Sequence, residues 1–189
     1  MVSPEPDASL HRHVALLRAV NVGKRQVRMA ALRQWLEEAG YAGVETYIQT
    51  GNVKVETPVA AAAEVEAALE ALLLERAGFE VPCIMLTPKE LRQVADDADS
   101  IEPPPFAGHP EERRFVVFFK DPPSAEDAEA MAAYDATDER VVAIGRAVHV
   151  WIAGNFHQAR AFGRFAKALD AGTNRNLQVV RTLAERWGA

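Results

Sequence analysis

The amino-acid sequence predicts an α+β protein built in two lobes. Three observations predict it. Short apolar runs alternate with amphipathic helical stretches in the order β-α-β-β-α-β over residues 13–99. A stretch holding Pro103, Pro104, Pro105, Gly108 and Pro110 then reads as a linker over 100–113. Beyond it, residues 114–189 follow the order β-α-β-β-α-α, a degenerate copy of the first half without a residue-level repeat. Residues 1–12 read as a tail.

The elements of the first half follow from spacing and punctuation. His13-Val14-Ala15-Leu16-Leu17-Arg18 is a buried strand that ends in polarity. After the loop Asn21–Arg28, the residues Met29, Leu32, Trp35, Leu36 and Ala39 recur at helical spacing, and Gly40 stops the helix. Val44–Ile48 and Val53–Glu56 flank Thr50-Gly51-Asn52 as a hairpin. Thr57-Pro58 predicts a cap and first turn for a helix that buries Val65, Leu69, Leu72 and Leu73, with Glu64, Glu66, Glu70 and Glu75 in solvent. Val81–Leu86 is a further strand, and Thr87-Pro88-Lys89-Glu90 is a capping box that opens a short helix.

In the second half, Phe115–Phe119 is a buried strand, and Ser124 with Asp127 caps a helix through Met131. Val141–Ile144 and Ala147–Ile152 flank the two-residue turn Gly145-Arg146. A helix with Phe162, Phe165, Ala166 and Leu169 follows. Thr173 or Asn174 is then expected to cap a last helix whose face is Leu177, Val180, Leu183, Ala184 and Trp187. The first order is the split β-α-β pattern, so both lobes are expected to be ferredoxin-like (α/β plait-type).

Composition narrows the function classes. The 189 residues carry 21 basic and 27 acidic side chains, net −6, which argues against a chain that coats nucleic acid or a basic membrane binder. The 16 Arg, 5 Lys and abundant Ala fit a GC-rich genome. No run reaches the ~18 apolar residues of a membrane span, and the N-terminal stretch lacks a signal core, so a cytoplasmic setting is expected. Cys83 is alone, in an apolar run, and reads as a small buried hydrophobe. No zinc spacing, Walker loop or nucleophile elbow occurs, so no metal, cofactor or catalytic residue is expected. His11 and His13 lack a third ligand. His149 alternates with Val148 and Val150 and is expected to face away from the core, and His157 falls in a loop.

The average charge hides a segregation. Residues 1–55 carry net +2, residues 56–139 net −14, and residues 140–189 net +6. Three polar clusters lie in the cationic parts. The first is Arg18, Asn21 and Lys24, just before a helix N-terminus, where phosphate or carboxylate is attracted. The second is Gln49 and Asn52 in the hairpin turn, which turn chemistry alone also explains. The third is Thr173, Arg175 and Asn176. Capping explains Thr173 there but not the positive charge of Arg175.

These clusters carry a resemblance. Leu16-Leu17-Arg18-Ala19-Val20-Asn21-Val22-Gly23 is similar to L-L-R-G-I-N-V-G. Thr46-Tyr47-Ile48-Gln49-Thr50-Gly51-Asn52-Val53 is similar to T-Y-I-Q-S-G-N-V, and Thr173-Asn174-Arg175-Asn176 with Val180 and Leu183 to T-x-R-N-W-x-T-V-x-x-L. Their order resembles the bacterial family called domain of unknown function 1697 (DUF1697), from about residue 12 to residue 187; Pro105-Phe106 also fits. Ala19 stands where the pattern has Gly, so a glycine-only backbone is not expected there. Leu177 and Val179 replace a Trp and a Thr. The resemblance implies a two-part α+β fold and no established activity.

The leading expectation is a binding module for an anionic, phosphate- or carboxylate-bearing small molecule, held by Arg18, Asn21, Lys24, Gln49, Asn52, Thr173, Arg175 and Asn176. The alternatives are a single-strand nucleic-acid binder, an unassigned enzyme, and motifs that only hold the lobes together. The sequence leaves the oligomeric state open.

Overall fold

The computed structural model describes residues 9–134, 136–154 and 159–189. The expected loop around His157 and the first eight residues of the expected tail lie outside them. The chain divides into two compact units, residues 1–90 and 91–187 apart from the last two residues. Each carries one four-stranded antiparallel sheet.

In the first unit β1 (His11–Leu17) starts two residues before the expected strand. It is followed by α1 (Met29–Glu38), β2 (Ala42–Tyr47), β3 (Asn52–Thr57), α2 (Ala62–Ala77) and β4 (Cys83–Leu86). The sheet order is β2-β3-β1-β4. Helical spacing puts Met29, Leu32 and Leu36 of α1 and Val65, Leu69 and Leu73 of α2 against Ala15, Leu17, Val53, Val55, Cys83 and Met85 of the sheet. Each such fully buried side chain contributes about 1.5–3 kcal/mol. Cys83 is part of this core, as expected of a small hydrophobe.

Two expectations for this unit are corrected. Thr57 does not cap α2. It ends β3, and the helix starts at Ala62 with no side-chain cap. The intervening chain is held elsewhere: the buried His13 donates through Nε2 to the Val59 carbonyl at 2.9 Å. Nor are Glu66 and Glu70 simply in solvent. β4 is an edge strand, and its outward N–H groups at Cys83 and Met85 donate to Glu70 (2.8 Å) and Glu66 (3.3 Å).

The helix α3 (Pro88–Ser100) opens with the expected capping box, in which the Thr87 N–H donates to Glu90 at 2.8 Å and the Glu90 N–H donates back to Thr87 Oγ1 at 3.2 Å. From Leu91 it belongs to the second unit. That unit continues with β5 (Arg113–Phe118), α4 (Ala125–Ala132), β6 (Glu139–Ile144), β7 (Ala147–Ile152), α5 (Ala161–Arg164), α6 (Ala166–Leu169), β8 (Thr173–Asn176) and α7 (Leu177–Trp187). The sheet order is β6-β7-β5-β8, which repeats the order of the first sheet strand for strand.

The repeat depends on β8, and here the sequence reading is corrected. Thr173 and Asn174 are not a helix cap. They pair with Phe118 and Val117 in the sheet. The second half is therefore β-α-β-β-α-α-β-α, closer to the first than the composition suggests. Asn176 does the capping instead, accepting from the Gln178 N–H at 2.8 Å.

One face of this second sheet packs Val117, Val141, Val148, Val150 and Ile152 against Met131, Ala161, Phe165 and Leu169. The opposite face carries a row formed by Val142, His149, Val116 and Arg175, paired in register across four strands. His149 does lie on the side away from the first core, but that side is covered too. It is 2% exposed, and its Nε2 has no hydrogen-bond partner. Helix α3 contributes to the cover, because Arg114 of β5 donates to the Ala98 carbonyl and stacks 3.9 Å above the Trp151 ring.

Burial pushes the pKa of His149 from 6.5 down to about 4, with Asp97 opposing and Arg114 reinforcing the shift. The unfolded chain takes up this proton near pH 6.5 and the folded chain only near 4. Stability is therefore lost as pH falls through that window, by about 3 kcal/mol from this group. Denaturant titrations at pH 7 and pH 4.5 should show His149→Leu losing clearly less stability on acidification than the wild type. Equal losses would remove His149 as the cause.

Candidate functional site

The chain leaves β1 through a loop whose backbone is unusual. Ala19 and Asn21 both lie in the left-handed region, with φ of 54° and 58°. For a residue with a Cβ this costs roughly 1–2 kcal/mol. The expectation that Ala19 avoids a glycine-type conformation is corrected.

Asn21 holds the loop in place. Its Nδ2 donates to the Gln49 carbonyl at 2.7 Å, and its Oδ1 accepts from the Val27 N–H at 2.9 Å. One side chain therefore ties both the start of α1 and the β2–β3 turn to the end of β1. Arg25 adds a second tie. It donates to the Ala19 carbonyl at 3.0 Å and to the Glu80 carbonyl, and lies 4.8 Å over the Phe79 ring. Lys24 and Arg28 are exposed, and Arg18 is half-buried. No acidic residue falls between Asp7 and Glu37, so the loop has no carboxylate of its own.

The turn that Asn21 holds contains a third strained residue, Ile48, at φ 49° with 44% of its surface exposed. A β-branched residue is a genuine outlier there. Gly51 is required by space as well as by its φ of 78°, since an added Cβ would stand 2.6 Å from Val20 and 2.8 Å from Leu17. Asn52 is fully buried and donates to the Tyr47 carbonyl and Thr50 Oγ1, each at 3.0 Å. It braces the turn from inside, while Gln49 and Thr50 face solvent.

The third cluster is in the second unit. Thr173 and Arg175 are buried, and Asn174 and Asn176 are exposed, as alternation along β8 dictates. Arg175 donates to Thr173 Oγ1 at 2.9 Å and to the Asn174 carbonyl at 2.8 Å. Burial lowers its pKa to about 10, so it keeps its charge at neutral pH. The structure thus brings Asn21 and Gln49 together directly, with Asn52 beneath the same turn. Thr173, Arg175 and Asn176 lie together on β8 of the second unit.

Sequence reasoning missed Glu139. It is 2% exposed and accepts from the Arg160 and Ala161 N–H groups, both at 2.7 Å, and from the Tyr134 hydroxyl at 2.9 Å. Its partners lie up to 22 residues away, and no local spacing signals them. Burial, followed by this hydrogen bond, raises the Tyr134 pKa. Among the described residues, no group of His, Cys, Asp and Glu is placed to hold a metal ion, and no helix is long and apolar enough to cross a membrane.

The first two motifs, now placed on one strand end and one turn, coincide with a family model. "Protein of unknown function (DUF1697)" matches residues 10–149. The chain belongs to the DUF1697 family. The match includes the strained loop and its turn, and ends before Thr173–Asn176. Among solved structures, this DUF1697 chain is similar to a conserved bacterial protein from Streptococcus pneumoniae, with a TM-score of 0.73 at 20% identity over 96% of this chain and 100% of that one. At that identity the likeness shows the fold. A comparison with curated proteins returns no match.

Two substitutions test the assignments of strain and support. Ala19→Gly should stabilise the protein by about 1 kcal/mol, since glycine meets no penalty at positive φ; an unchanged denaturation midpoint would mean that the loop is not held in this conformation. Arg175→Ala should cost about 1–3 kcal/mol, because it strands the buried acceptors on β8. A neutral result would leave β8 standing without that side chain.

Proposed function

We propose that the protein is a binding module for an anionic, phosphate- or carboxylate-bearing small molecule, held at the first lobe by the loop 18–28 and the turn 48–51. The observation that carries this reading is the strain. Three non-glycine residues in the left-handed region, Ala19, Asn21 and Ile48, flank the single Asn21–Gln49 hydrogen bond. Strain of this kind persists where a site needs a fixed backbone. The side chains around it suit an anion: Lys24 and Arg28 are exposed beside the start of α1, and Gln49 and Thr50 offer neutral polar groups. Lys24, Arg28 and Arg18 would supply charge, and Asn21 would fix the loop that presents them.

Of the eight expected site residues, Asn52, Thr173 and Arg175 serve the frame on this reading, and Asn176 serves as the cap of α7. Asn21 fixes the loop, and the ligand contacts fall to Arg18, Lys24 and Gln49. The repeated sheet order also supports treating both lobes as ferredoxin-like plaits, each with β1 or its counterpart β5 inside the sheet.

A thermal-shift screen of inorganic phosphate, nucleotides and phosphorylated or carboxylated metabolites tests the reading. At least one should raise the melting temperature of the wild type, and Lys24→Glu with Arg28→Glu should abolish the shift while leaving unliganded stability within about 0.5 kcal/mol, as exposed substitutions do. A ligand that stabilises both forms equally would overturn it, as would a screen in which no anion acts.

A further inference from the structure

Two of the edge strands, β4 and β6, are treated differently. At β4 the outward N–H groups are taken by Glu70 and Glu66. At β6 the ladder leaves them open. Ala153 donates to the Asp138 carbonyl across the β6–β7 pair, so residues 138, 140, 142 and 144 turn their peptide groups toward β7. Val141 and Ala143 turn theirs outward. Among the described residues, neither outward group has a hydrogen-bond partner.

Val141 does not face bulk solvent. It lines a cavity of about 380 Å³, walled by Pro105 and Phe106 on one side and by Ala133, Tyr134 and Arg140 on others. A volume of roughly 300–1,000 Å³ with a few convergent polar groups is that of a small-molecule site. The lining takes consecutive residues 139–142 rather than alternate ones, which puts the cavity along the edge of β6, where the ladder aims the N–H and C=O of Val141. Phe106 and Tyr134 also line it. Tyr134 is held in position by its hydroxyl bond to Glu139 and by an edge contact with Phe165, ring centroids 5.4 Å apart.

We propose that this cavity binds a flat heteroaromatic ring, of the nucleobase class, whose adjacent acceptor and donor pair with the Val141 N–H and C=O. The ring would lie against Phe106 and Tyr134. An extended peptide adding to β6 is the competing occupant. It is disfavoured because the walls at Pro105–Phe106 and at the end of α4 close the space over only part of the strand.

The test uses adenosine, which carries an acceptor–donor edge and no phosphate, so the basic loop of the first lobe has no charge to attract. Titration into the isotope-labelled full chain should move the Val141 amide resonance downfield and saturate. Phe106→Ala should weaken binding at least tenfold, and Ala133→Trp, a substitution of an exposed residue at the cavity wall, should block it. Ala143→Pro, at another outward-facing edge position, should leave binding unchanged. Saturation that leaves Val141 unmoved would overturn the proposal, as would no binding of adenosine, guanosine or cytidine at millimolar concentration. So would a peptide that shifts both the Val141 and Ala143 amides while nucleosides shift neither.

Discussion

Sheet edges impose the constraint on which this protein turns. A buried peptide group must be hydrogen-bonded, and a four-stranded sheet leaves two strands with outward groups unpaired. The protein meets this at β4 with carboxylates from the facing helix α2. At β8 it uses the Arg175 guanidinium, which reaches the Asn174 carbonyl on its own strand. Charged residues that look like solubilising surface or ligand contacts are thus committed to backbone. At the edge strand β6 no side chain among the described residues takes the outward groups of Val141, and a cavity lies beside them.

At the first lobe the constraint is conformational. Left-handed Ala19 and Ile48 each cost roughly 1–2 kcal/mol, and Asn21, a residue that tolerates this region, costs less. The Asn21 side chain makes two hydrogen bonds, worth about 1 kcal/mol each. The remainder comes from the core beneath, where Leu17 and Val20 close on Gly51 so tightly that no Cβ fits. Packing that is already paid for by the sheet fixes the turn, and the turn fixes the loop. That chain of dependence ties the loop conformation to the packing of the sheet.

How much of this was legible follows from where each signal resides. Strands and helices with period-2 or helical spacing, the capping box at Thr87 and the cap at Ser124 were readable because their partners lie within a few residues. β8 was not. Thr-Asn-Arg-Asn has no apolar residue and the composition of a cap, and it becomes a strand only because β5 offers it an edge. Thr57-Pro58 misled for the opposite reason: a good local cap signal lost to the pairing of β3. For His149, alternation gave the correct face but not whether a second layer covers it. The site clusters were visible as polar motifs, yet Asn52 and Arg175 point inward, and polarity alone does not separate a ligand contact from a brace.

The charge balance has the same lesson in sharper form. A middle segment at net −14 suggests a strongly anionic surface. Yet Glu66, Glu70 and Glu139 from that segment accept backbone hydrogen bonds, which directs part of the negative charge inward onto N–H dipoles. Exposed charges are screened beyond about 8 Å at physiological salt. A sum over the whole chain therefore says little about the field at one loop. The segment between Asp7 and Glu37 holds Arg18, Lys24, Arg25 and Arg28 and no acid, while Glu80 from the acidic middle meets Arg25 through its carbonyl, so the field at the loop depends on which charges the fold brings beside it.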